Sequence, residues 1–244
     1  MQKQRLDREL MQRGLTSSRS QAENWIKLGH VSVNGAVTKR PSHLVQTQDA
    51  IALKAGERYV SRAGLKLASV AQLLKVDFRD TTVLDVGSST GGFTDYALQH
   101  GAKKAIAVDV GTEQLHPSLR RNRQIELHEK TDIRDFTPRE PVDIVVMDVS
   151  FISLREILPH IASFANHDTQ IVAMVKPQFE AGREQINKGI IKNDSMRRQI
   201  LKDFELWAKQ YFVIIDKRDS EVAGSKGNRE RFYLLNVSQS VVKK

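Results

Sequence analysis

The hydrophobic pattern divides the chain into a long α/β part and a short amino-terminal part in which apolar residues are spaced differently. From Thr81 onward, apolar runs of strand length alternate with segments whose apolar residues recur at helical spacing. This alternation is typical of an open, mainly parallel sheet of Rossmann-like type. It predicts seven strands, near residues 82–85, 105–109, 125–129, 142–148, 170–175, 212–217 and 231–237. No clear helix separates the last two, so we expect a final hairpin that makes one antiparallel edge.

The first 58 residues predict a small α+β domain of two helices and a hairpin. Leu6 and Leu10 lie at helical spacing, and a second helix is indicated around Trp25. Apolar and polar residues then alternate about Asn34-Gly35, a dipeptide that strongly favours a tight hairpin. A polar connection of mixed charge follows. We therefore place the domain boundary there and expect domains over residues 1–58 and 59–244.

Charge suggests the kind of partner. The 244 residues carry a formal net charge of +9, and residues 1–58 hold 10 Lys and Arg against 5 Asp and Glu, a surplus of 5. More than half of the excess charge therefore lies in the first quarter of the chain. A surplus of this kind favours a polyanionic partner.

Composition also excludes several chemistries and compartments. Cysteine is absent, which rules out disulfides, cysteine-ligated metals and the thiolate attack that methylates carbon 5 of a pyrimidine. The seven histidines are scattered, so we expect no metal site. No apolar run approaches the ~18 residues of a membrane helix, and no signal-like start is visible. We expect a cytoplasmic protein without a membrane-spanning segment.

A glycine-rich turn between a buried strand and a helix, residues 83–93, predicts a cofactor site. A dinucleotide-binding loop has the spacing G-x-G-x-x-G, whereas the glycines here are Gly87, Gly91 and Gly92. The spacing argues against a pyrophosphate-containing cofactor and favours S-adenosylmethionine. The residues that we expect to bind it are Asp85, Gly87, Ser88, Thr90, Gly91, Gly92 and Phe93.

Acids that follow strand ends extend the predicted cofactor site, because ligands bind at that edge of such sheets. Asp109 comes about twenty residues after the glycine turn, where an acid accepts hydrogen bonds from ribose hydroxyls. Asp132 follows the third strand and is expected to contact the adenine. We include the neighbours Val110 and Ile133 in the same site.

The residues at the ends of the fourth and fifth strands indicate which kind of atom accepts the methyl group. The fourth ends at Asp148-Val149-Ser150-Phe151, whereas enzymes that hold an exocyclic amine place Asp/Asn-Pro-Pro-aromatic there. Methylation of a base amine is therefore disfavoured. The fifth strand ends at Lys176, a lysine that emerges from an apolar run, and the sheet places Asp148 within its reach.

The amino-terminal part resembles the alpha-L RNA-binding module of ribosomal small-subunit protein four. The resemblance covers about residues 3–53 and is carried by Arg5-Leu6-Asp7, Gly14-Leu15, Ser18-Arg19, Ala22, Ile26, residues 29–35 and Lys39-Arg40-Pro41-Ser42. In that family the paired helices present a basic face to folded RNA. The contacts would be mainly to phosphates, which position an RNA without reading its sequence. The RNA-binding residues implied by the resemblance are Arg5, Ser18, Arg19, Lys27, Lys39 and Arg40.

The remainder resembles FtsJ-like ribose 2′-O-methyltransferases, and the whole chain resembles the TlyA family, whose members carry both haemolysin and ribosomal RNA methyltransferase names. The resemblance is carried by residues 148–154, 176–182, Lys188-Gly189 and a lysine-aspartate-lysine-glutamate tetrad. The matching tetrad residues are Lys66, Asp148, Lys176 and Glu230.

The resemblance implies a methyltransferase that acts on ribose 2′-hydroxyls of ribosomal RNA or ribosomal subunits. Lys176 is the candidate base, and it must lose its own proton before it accepts another. Asp148 would orient Lys176, Lys66 would supply a nearby cation, and Glu230 would hold Lys66 or the ribose. Three alternatives remain at this point: a membrane-active haemolysin, an RNA-binding assembly factor whose cofactor fold is inactive, and methylation of another RNA.

Overall fold

A computed structural model describes residues 3–16, 19–27, 29–53, 59–182, 186–187, 190–191, 193–222 and 228–238. The chain forms two compact units, Met1–Arg58 and Tyr59–Lys244. Each is described by itself below.

The amino-terminal unit contains two helices and short antiparallel strands. The helices are α1 Leu6–Gln12 and α2 Arg19–Lys27, and they pack through buried residues that include Leu6, Leu10 and Ile26. The strands are β1 Gln4–Arg5, β2 Val31–Val33, β3 Ala36–Val37, β4 Leu44–Val45 and β5 Ile51–Leu53. β1 pairs with β4, and β2 lies between β3 and β5. The predicted hairpin joins β2 to β3 through Asn34 and Gly35, both with positive φ, as a tight hairpin turn requires.

The carboxy-terminal unit is built on a seven-stranded, mostly parallel sheet. Its strands are β6 Thr82–Val86, β7 Lys104–Val108, β8 Ile125–His128, β9 Ile144–Met147, β10 Gln170–Val175, β13 Phe212–Asp219 and β14 Arg231–Val237. Their order across the sheet is β13-β14-β10-β9-β6-β7-β8. A separate two-stranded pair consists of β11 Ile186–Asn187 and β12 Ile190–Ile191. The Rossmann-like fold predicted from the apolar pattern is confirmed.

Helices cover both faces of this sheet. They are α3 Arg62–Ala71, α4 Gly92–Gln99, α5 Pro117–Arg120, α6 Leu158–Phe164, α7 Pro177–Glu180 and α8 Asp194–Ala208. α3 and α4 contribute to one apolar core, and α6 and α8 contribute to the other. Neighbouring strand residues point into opposite cores, as Val83 and Leu84 do. Burial on both faces explains why the central strands are continuous apolar runs, since each buried Val or Leu contributes about 1.5–3 kcal/mol.

The final hairpin, β13 and β14, makes an antiparallel edge of the sheet, as expected. β14 pairs antiparallel with both β10 and β13, so the reversed strand lies one place inside the edge. The edge strand β13 runs in the direction of the parallel strands. Arg231, at the start of β14, is paired with Val175, at the end of β10. The start of the reversed strand therefore lies at the same edge of the sheet as the ends of the parallel strands.

Candidate active site

Two neighbouring cavities lie where the parallel strands end. The larger has a volume of about 370 Å³ and the smaller about 180 Å³. The two cavities share Gly87, Ser89, Asp148 and Ser150 in their linings. Most of the residues predicted from the sequence to bind a cofactor contribute to one cavity or the other.

The glycine-rich turn has two separate roles. Gly87 has φ of +78° and lines both cavities, and a Cβ there would lie 3.0 Å from Val149 Cγ1. Gly91 and Gly92 line neither cavity. A Cβ on Gly91 would lie 2.5 Å from Leu119, and one on Gly92 would collide with Ser61. These two glycines have a packing role at the start of α4, and their contact with a cofactor stays a prediction.

Asp85, at the end of β6, is buried beside the smaller cavity. Its Oδ2 accepts hydrogen bonds from Thr94 N at 2.9 Å and Thr94 Oγ1 at 2.6 Å, which fixes the start of α4. Its Oδ1 and the hydroxyl of Ser88 are both buried without a hydrogen-bond partner among the described residues. Burial raises the pKa of the Asp85 carboxyl to about 7, although the two bonds from Thr94 oppose the shift. Two polar atoms on this cavity are therefore available to a ligand.

Asp109 is held at the larger cavity by backbone amides. Ser89 N donates to its Oδ2 at 2.8 Å, and Gly111 N donates to its Oδ1 at 2.7 Å. Ser89 also donates through its hydroxyl to Gln114 at 2.9 Å, and Gln114 lines the same cavity. The carboxylate keeps further lone pairs for a ligand because each oxygen accepts only one of these bonds. Ser89 and Gln114 were missed in the sequence because neither belongs to a strand-end acid or a glycine spacing.

The remaining predicted cofactor residues have different environments. Asp132 forms an ion pair with Arg134 at 2.7 Å, and hydrogen bonds from that arginine lower the pKa of Asp132. Val110 is 70% exposed and Ile133 is buried, and both line the larger cavity. The smaller cavity is lined in part by Thr90 and Phe93.

Two buried lysine-carboxylate pairs meet at the same edge. Lys176 Nζ lies 2.6 Å from Asp148 Oδ1, and Lys66 Nζ lies 2.6 Å from Glu230 Oε2. Lys66, Asp148 and Lys176 line the smaller cavity. Glu230 reaches this edge because it precedes the reversed strand β14. The structure thus brings together four residues that are up to 164 positions apart (230 − 66).

Ser150 is a further member of this cluster that the sequence did not identify. Lys176 Nζ donates a hydrogen bond to Ser150 Oγ at 2.7 Å. The sequence did show Ser150 replacing a proline, but nothing in its spacing indicated that its hydroxyl meets a lysine from another strand end.

An aromatic residue stands exposed beside the cluster. Phe151 is 92% exposed and has φ of +67°, a conformation that is strained for a bulky side chain. Its ring centroid lies 5.2 Å from that of Phe179, and the Phe179 centroid lies 5.9 Å from Lys176 Nζ. Phe151 also lines the larger cavity. An exposed aromatic ring at a cavity mouth offers a flat surface to a planar ligand.

Glu180 joins the two loops that carry these residues. Ser153 Oγ donates to its Oε2 at 2.6 Å, and Leu154 N donates to its Oε1 at 2.7 Å. Burial raises the pKa of this carboxyl, and the two hydrogen bonds oppose that shift. Glu180 therefore ties the loop after Asp148 to the short helix after Lys176.

The predicted RNA-binding residues of the amino-terminal unit fall into two groups. Arg5 and Arg19 both contact the buried carboxylate of Asp7, at 2.6 Å and 3.1 Å, so their guanidinium groups stabilise the domain itself. Lys39 and Arg40 are exposed and form no ion pair with a described residue. Ser18 and the side chain of Lys27 lie outside the described residues.

The described part of the chain contains neither a metal-ligand cluster nor a membrane-spanning helix. No group of three or more His, Asp or Glu side chains is arranged to hold a metal ion there. None of the helices described has the length and apolar character needed to cross a bilayer.

The fold and the site together are those of a methyltransferase-type enzyme. They combine a seven-stranded Rossmann-like sheet, a glycine turn and two lysine-carboxylate pairs. Residues 59–237 match the FtsJ-like methyltransferase family, and residues 4–51 match the S4 domain. The chain belongs to the FtsJ-like methyltransferase family.

Individual relatives carry two kinds of name. The Mycobacterium tuberculosis 16S/23S rRNA (cytidine-2′-O)-methyltransferase TlyA is 36% identical over 95% of this chain and 89% of its own length. Hemolysin A of Brachyspira hyodysenteriae is 38% identical over 93% of this chain and 97% of its own length. The solved structure of a Streptococcus thermophilus protein, provisionally described as a hemolysin, has a TM-score of 0.74 and 37% identity, over 98% of this chain and 90% of that one.

Proposed function

We propose that this protein transfers a methyl group from S-adenosylmethionine to a ribose 2′-hydroxyl of ribosomal RNA. The observation that carries the proposal is the contact of Lys176 Nζ with Asp148 at 2.6 Å, in a cavity that adjoins the glycine turn. A lysine amine placed beside a cofactor loop suits the removal of a proton from a weakly acidic hydroxyl. The named activity of the M. tuberculosis relative, ribosomal RNA 2′-O-methylation, supports the same acceptor.

The residues at the two cavities fit this cofactor. Asp109 is placed to accept hydrogen bonds from ribose hydroxyls, and Val110 and Ile133 offer apolar surface to the adenine. Asp85 Oδ1 and Ser88 Oγ, which are buried without partners among the described residues, suit the polar amino-acid end. When bound, S-adenosylmethionine supplies an electrophilic methyl group on a positively charged sulfur.

Lys176 is the proposed base. A ribose hydroxyl is a poor nucleophile until its proton leaves, and Nζ accepts that proton only when the lysine is neutral. Asp148 holds Nζ in place, and Lys66 is a second cation on the same cavity. Glu230 pairs with Lys66 at 2.6 Å and so fixes where that second charge lies.

Phe151 is proposed to hold the base of the acceptor nucleotide. A nucleotide that reaches a cavity with its ribose must leave its own stack, and an exposed aromatic ring replaces part of the lost stacking. Phe151 is 92% exposed at the cavity mouth, and its strained φ keeps the ring there.

The amino-terminal unit is proposed to bind the RNA backbone. The S4 match and the surplus of basic residues support this role. Lys39 and Arg40 are the candidates whose charges are free of ion pairs with described residues. Arg5 and Arg19 would contribute through N–H groups that Asp7 does not use, together with Ser18 and Lys27.

The test is methyl transfer to ribosomal RNA that lacks the modification. Purified protein, labelled S-adenosylmethionine and ribosomal subunits should give label on a ribose 2′-oxygen, located by mapping of 2′-O-methyl groups. Lys176→Ala should lower the rate by at least ~100-fold, the usual size of a general-base effect, while cofactor binding by calorimetry changes little. The matched control is Lys202→Ala, an exposed lysine on α8, which should behave as wild type.

Three results would contradict the proposal. Equal rates for Lys176→Ala and Lys202→Ala would remove Lys176 from its role. Absence of S-adenosylmethionine binding would favour an RNA-binding assembly factor. Lysis of red cells by the purified protein, with no methylation of any ribosomal RNA, would favour the haemolysin reading.

A further inference from the structure

The segment between β7 and α5 is hydrogen-bonded to the glycine turn at three points. Ser89 N donates to Asp109 Oδ2 at 2.8 Å, and Ser89 Oγ donates to Gln114 Oε1 at 2.9 Å. His116 N donates to the carbonyl oxygen of Thr90 at 3.1 Å. The segment therefore forms a fixed wall of the larger cavity, which Asp109 and Gln114 both line.

The amide of Gln114 is only half used within this wall. Its Oε1 accepts from Ser89, whereas Nε2 has no hydrogen-bond partner among the described residues. The side chain is exposed, so it contributes little to the core. One end of the amide is thus held, and the two N–H groups at the other end are left to donate.

The neighbouring carboxylate decides which end of the amide is the nitrogen. A hydroxyl donates or accepts, so the contact with Ser89 is compatible with either orientation. A Cβ on Gly111 would lie 1.7 Å from Gln114 Nε2 and 3.0 Å from Asp109 Oδ1, so both atoms lie beside the same point. An amide oxygen at that place would face the negative charge of Asp109, whereas an NH₂ group is attracted to it. The NH₂ group therefore lies on the side of the carboxylate.

We propose that Gln114 binds the ribose of the cofactor, donating a hydrogen bond from its amide to a hydroxyl oxygen while Asp109 accepts the hydroxyl hydrogens. The inference rests on the proposed use of S-adenosylmethionine. A sugar hydroxyl is both a donor and an acceptor, whereas a carboxylate only accepts. Asp109 alone leaves the lone pairs of the hydroxyl oxygens without a donor from the protein. A carboxylate beside an amide NH₂ group satisfies both needs of a vicinal diol, so the pair selects ribose over deoxyribose.

The experiment is a calorimetric titration with S-adenosylhomocysteine, the product form of the cofactor, and with its 2′-deoxy and 3′-deoxy analogues. Gln114→Ala should raise the Kd for S-adenosylhomocysteine by roughly 2- to 12-fold, the range for one neutral hydrogen bond. The penalty for a missing hydroxyl is the ratio of the Kd of the analogue to that of S-adenosylhomocysteine. For one of the two analogues, this penalty should be smaller in Gln114→Ala than in wild type by the same factor.

Two further variants serve as controls. Gln199→Ala changes an exposed glutamine on α8 whose amide donates to Asp203 at 2.8 Å, and it should bind all three ligands as wild type does. Gln114→Met keeps the length of the side chain but has no amide, so it should match Gln114→Ala. If methionine restores the wild-type affinity, the side chain acts by filling space and the inference is wrong.

A purely structural role of Gln114 predicts a different pattern. If the glutamine only holds the segment against the glycine turn, its loss weakens the binding of all three ligands equally. The penalty for each missing hydroxyl then stays at its wild-type value in Gln114→Ala, and that result would overturn the inference. So would wild-type protein that binds both deoxy analogues as tightly as S-adenosylhomocysteine.

Failure of this inference is distinguishable from failure of the proposed function. If the wild-type protein binds neither S-adenosylmethionine nor S-adenosylhomocysteine, the proposed function fails and this inference fails with it. If wild type and Gln114→Ala bind S-adenosylhomocysteine equally tightly, only the role of Gln114 is wrong. The proposed function is then still tested by methyl transfer with Lys176→Ala, a residue that Gln114→Ala leaves unchanged.

Discussion

Asp85 is a carboxyl group whose proton affinity depends on its place at the end of a buried strand. Burial raises its pKa to about 7 from an ordinary value of 3.8, and the charges of Asp148 and Asp109 add to the shift. The folded protein therefore holds this proton over a pH range in which the unfolded chain has already lost it. Its contribution to stability must fall as pH rises from about 4 to about 7, and must level off above that.

Asp85→Asn should remove this pH dependence. The amide keeps an oxygen for the two bonds from Thr94 but does not ionise. The free energy of unfolding of the variant, relative to wild type, should rise between pH 5 and pH 8 by up to about 2.7 kcal/mol, since about two units of the pKa difference lie above pH 5 and each is worth 1.36 kcal/mol. Urea unfolding without cofactor, at several pH values, measures the difference. Parallel curves for the two proteins would show that Asp85 does not titrate in this range.

Whether a site residue could be predicted from the sequence depends on how far along the chain its partner lies. Asp148 and Lys176 each end an apolar run, so the parallel sheet alone indicated that they meet. Ser150 and Phe151 follow Asp148 directly, but their positions depend on a positive φ at Phe151, which no spacing shows. Lys66 and Glu230 were identified only by family resemblance, because nothing local to either residue indicates the other.

At the scale of elements, the loop after β9 and the helix α7 after β10 behave as one unit because Glu180 joins them. Its carboxylate accepts from Ser153 Oγ and Leu154 N. These two connections also carry Asp148, Ser150 and Phe151 on one side and Lys176 and Phe179 on the other. The carboxylate is thus a support for the site although it lines neither of the two cavities described.

Glu180→Ala should therefore weaken both stability and catalysis. Two donors lose their partner, which predicts a loss of about 1–3 kcal/mol in the free energy of unfolding and a lower rate of methyl transfer. Glu180→Gln keeps a carbonyl acceptor and should fall between alanine and wild type in both measurements. Glu156→Ala, an exposed acid in the short helical turn Leu154–Glu156, is the control. If alanine and glutamine variants match Glu156→Ala in unfolding and in rate, Glu180 has no supporting role.

The elements themselves were well predicted, for a physical reason. Strands buried on both faces must be apolar along their whole length, and that signal is strong in the printed sequence. The order of the last two strands in the sheet was not predicted, although the alternation in β13 fits an edge strand and the apolar run in β14 fits an interior one. The packing roles of Gly91 and Gly92 were also hidden, because they depend on Leu119 and Ser61, which approach from outside the turn.

At the scale of the whole molecule, part of the positive charge of the amino-terminal unit forms ion pairs inside that unit. Asp7 is fully buried and holds the guanidinium groups of Arg5 and Arg19. Composition alone suggests that these two arginines are free surface charges, whereas in the structure they form ion pairs that stabilise the domain. Lys39 and Arg40 keep their charge exposed.

The double variant Lys39→Ala/Arg40→Ala should weaken binding to ribosomal RNA without changing which nucleotide is methylated. Contacts to phosphates release counterions, so the slope of log affinity against log salt should fall by about 1 to 2 units. Filter binding at several salt concentrations measures the slope. Lys202→Ala/Lys209→Ala, two exposed lysines of the other unit, is the control. An unchanged slope would place the RNA contacts elsewhere.

The reversed strand makes the order of synthesis matter for this site. The glycine turn comes from residues 87–92, and Lys176 comes much later, but Lys66 meets its carboxylate partner only when Glu230 and the strand after it join the sheet. A nascent chain or a proteolytic fragment that stops before residue 230 would contain the glycine turn and three residues of the tetrad but not Glu230, the carboxylate partner of Lys66. Because β14 lies between β10 and β13, we expect the sheet that carries this site to be complete only late in translation, and cleavage before residue 230 to remove an interior strand while leaving the glycine turn in the chain.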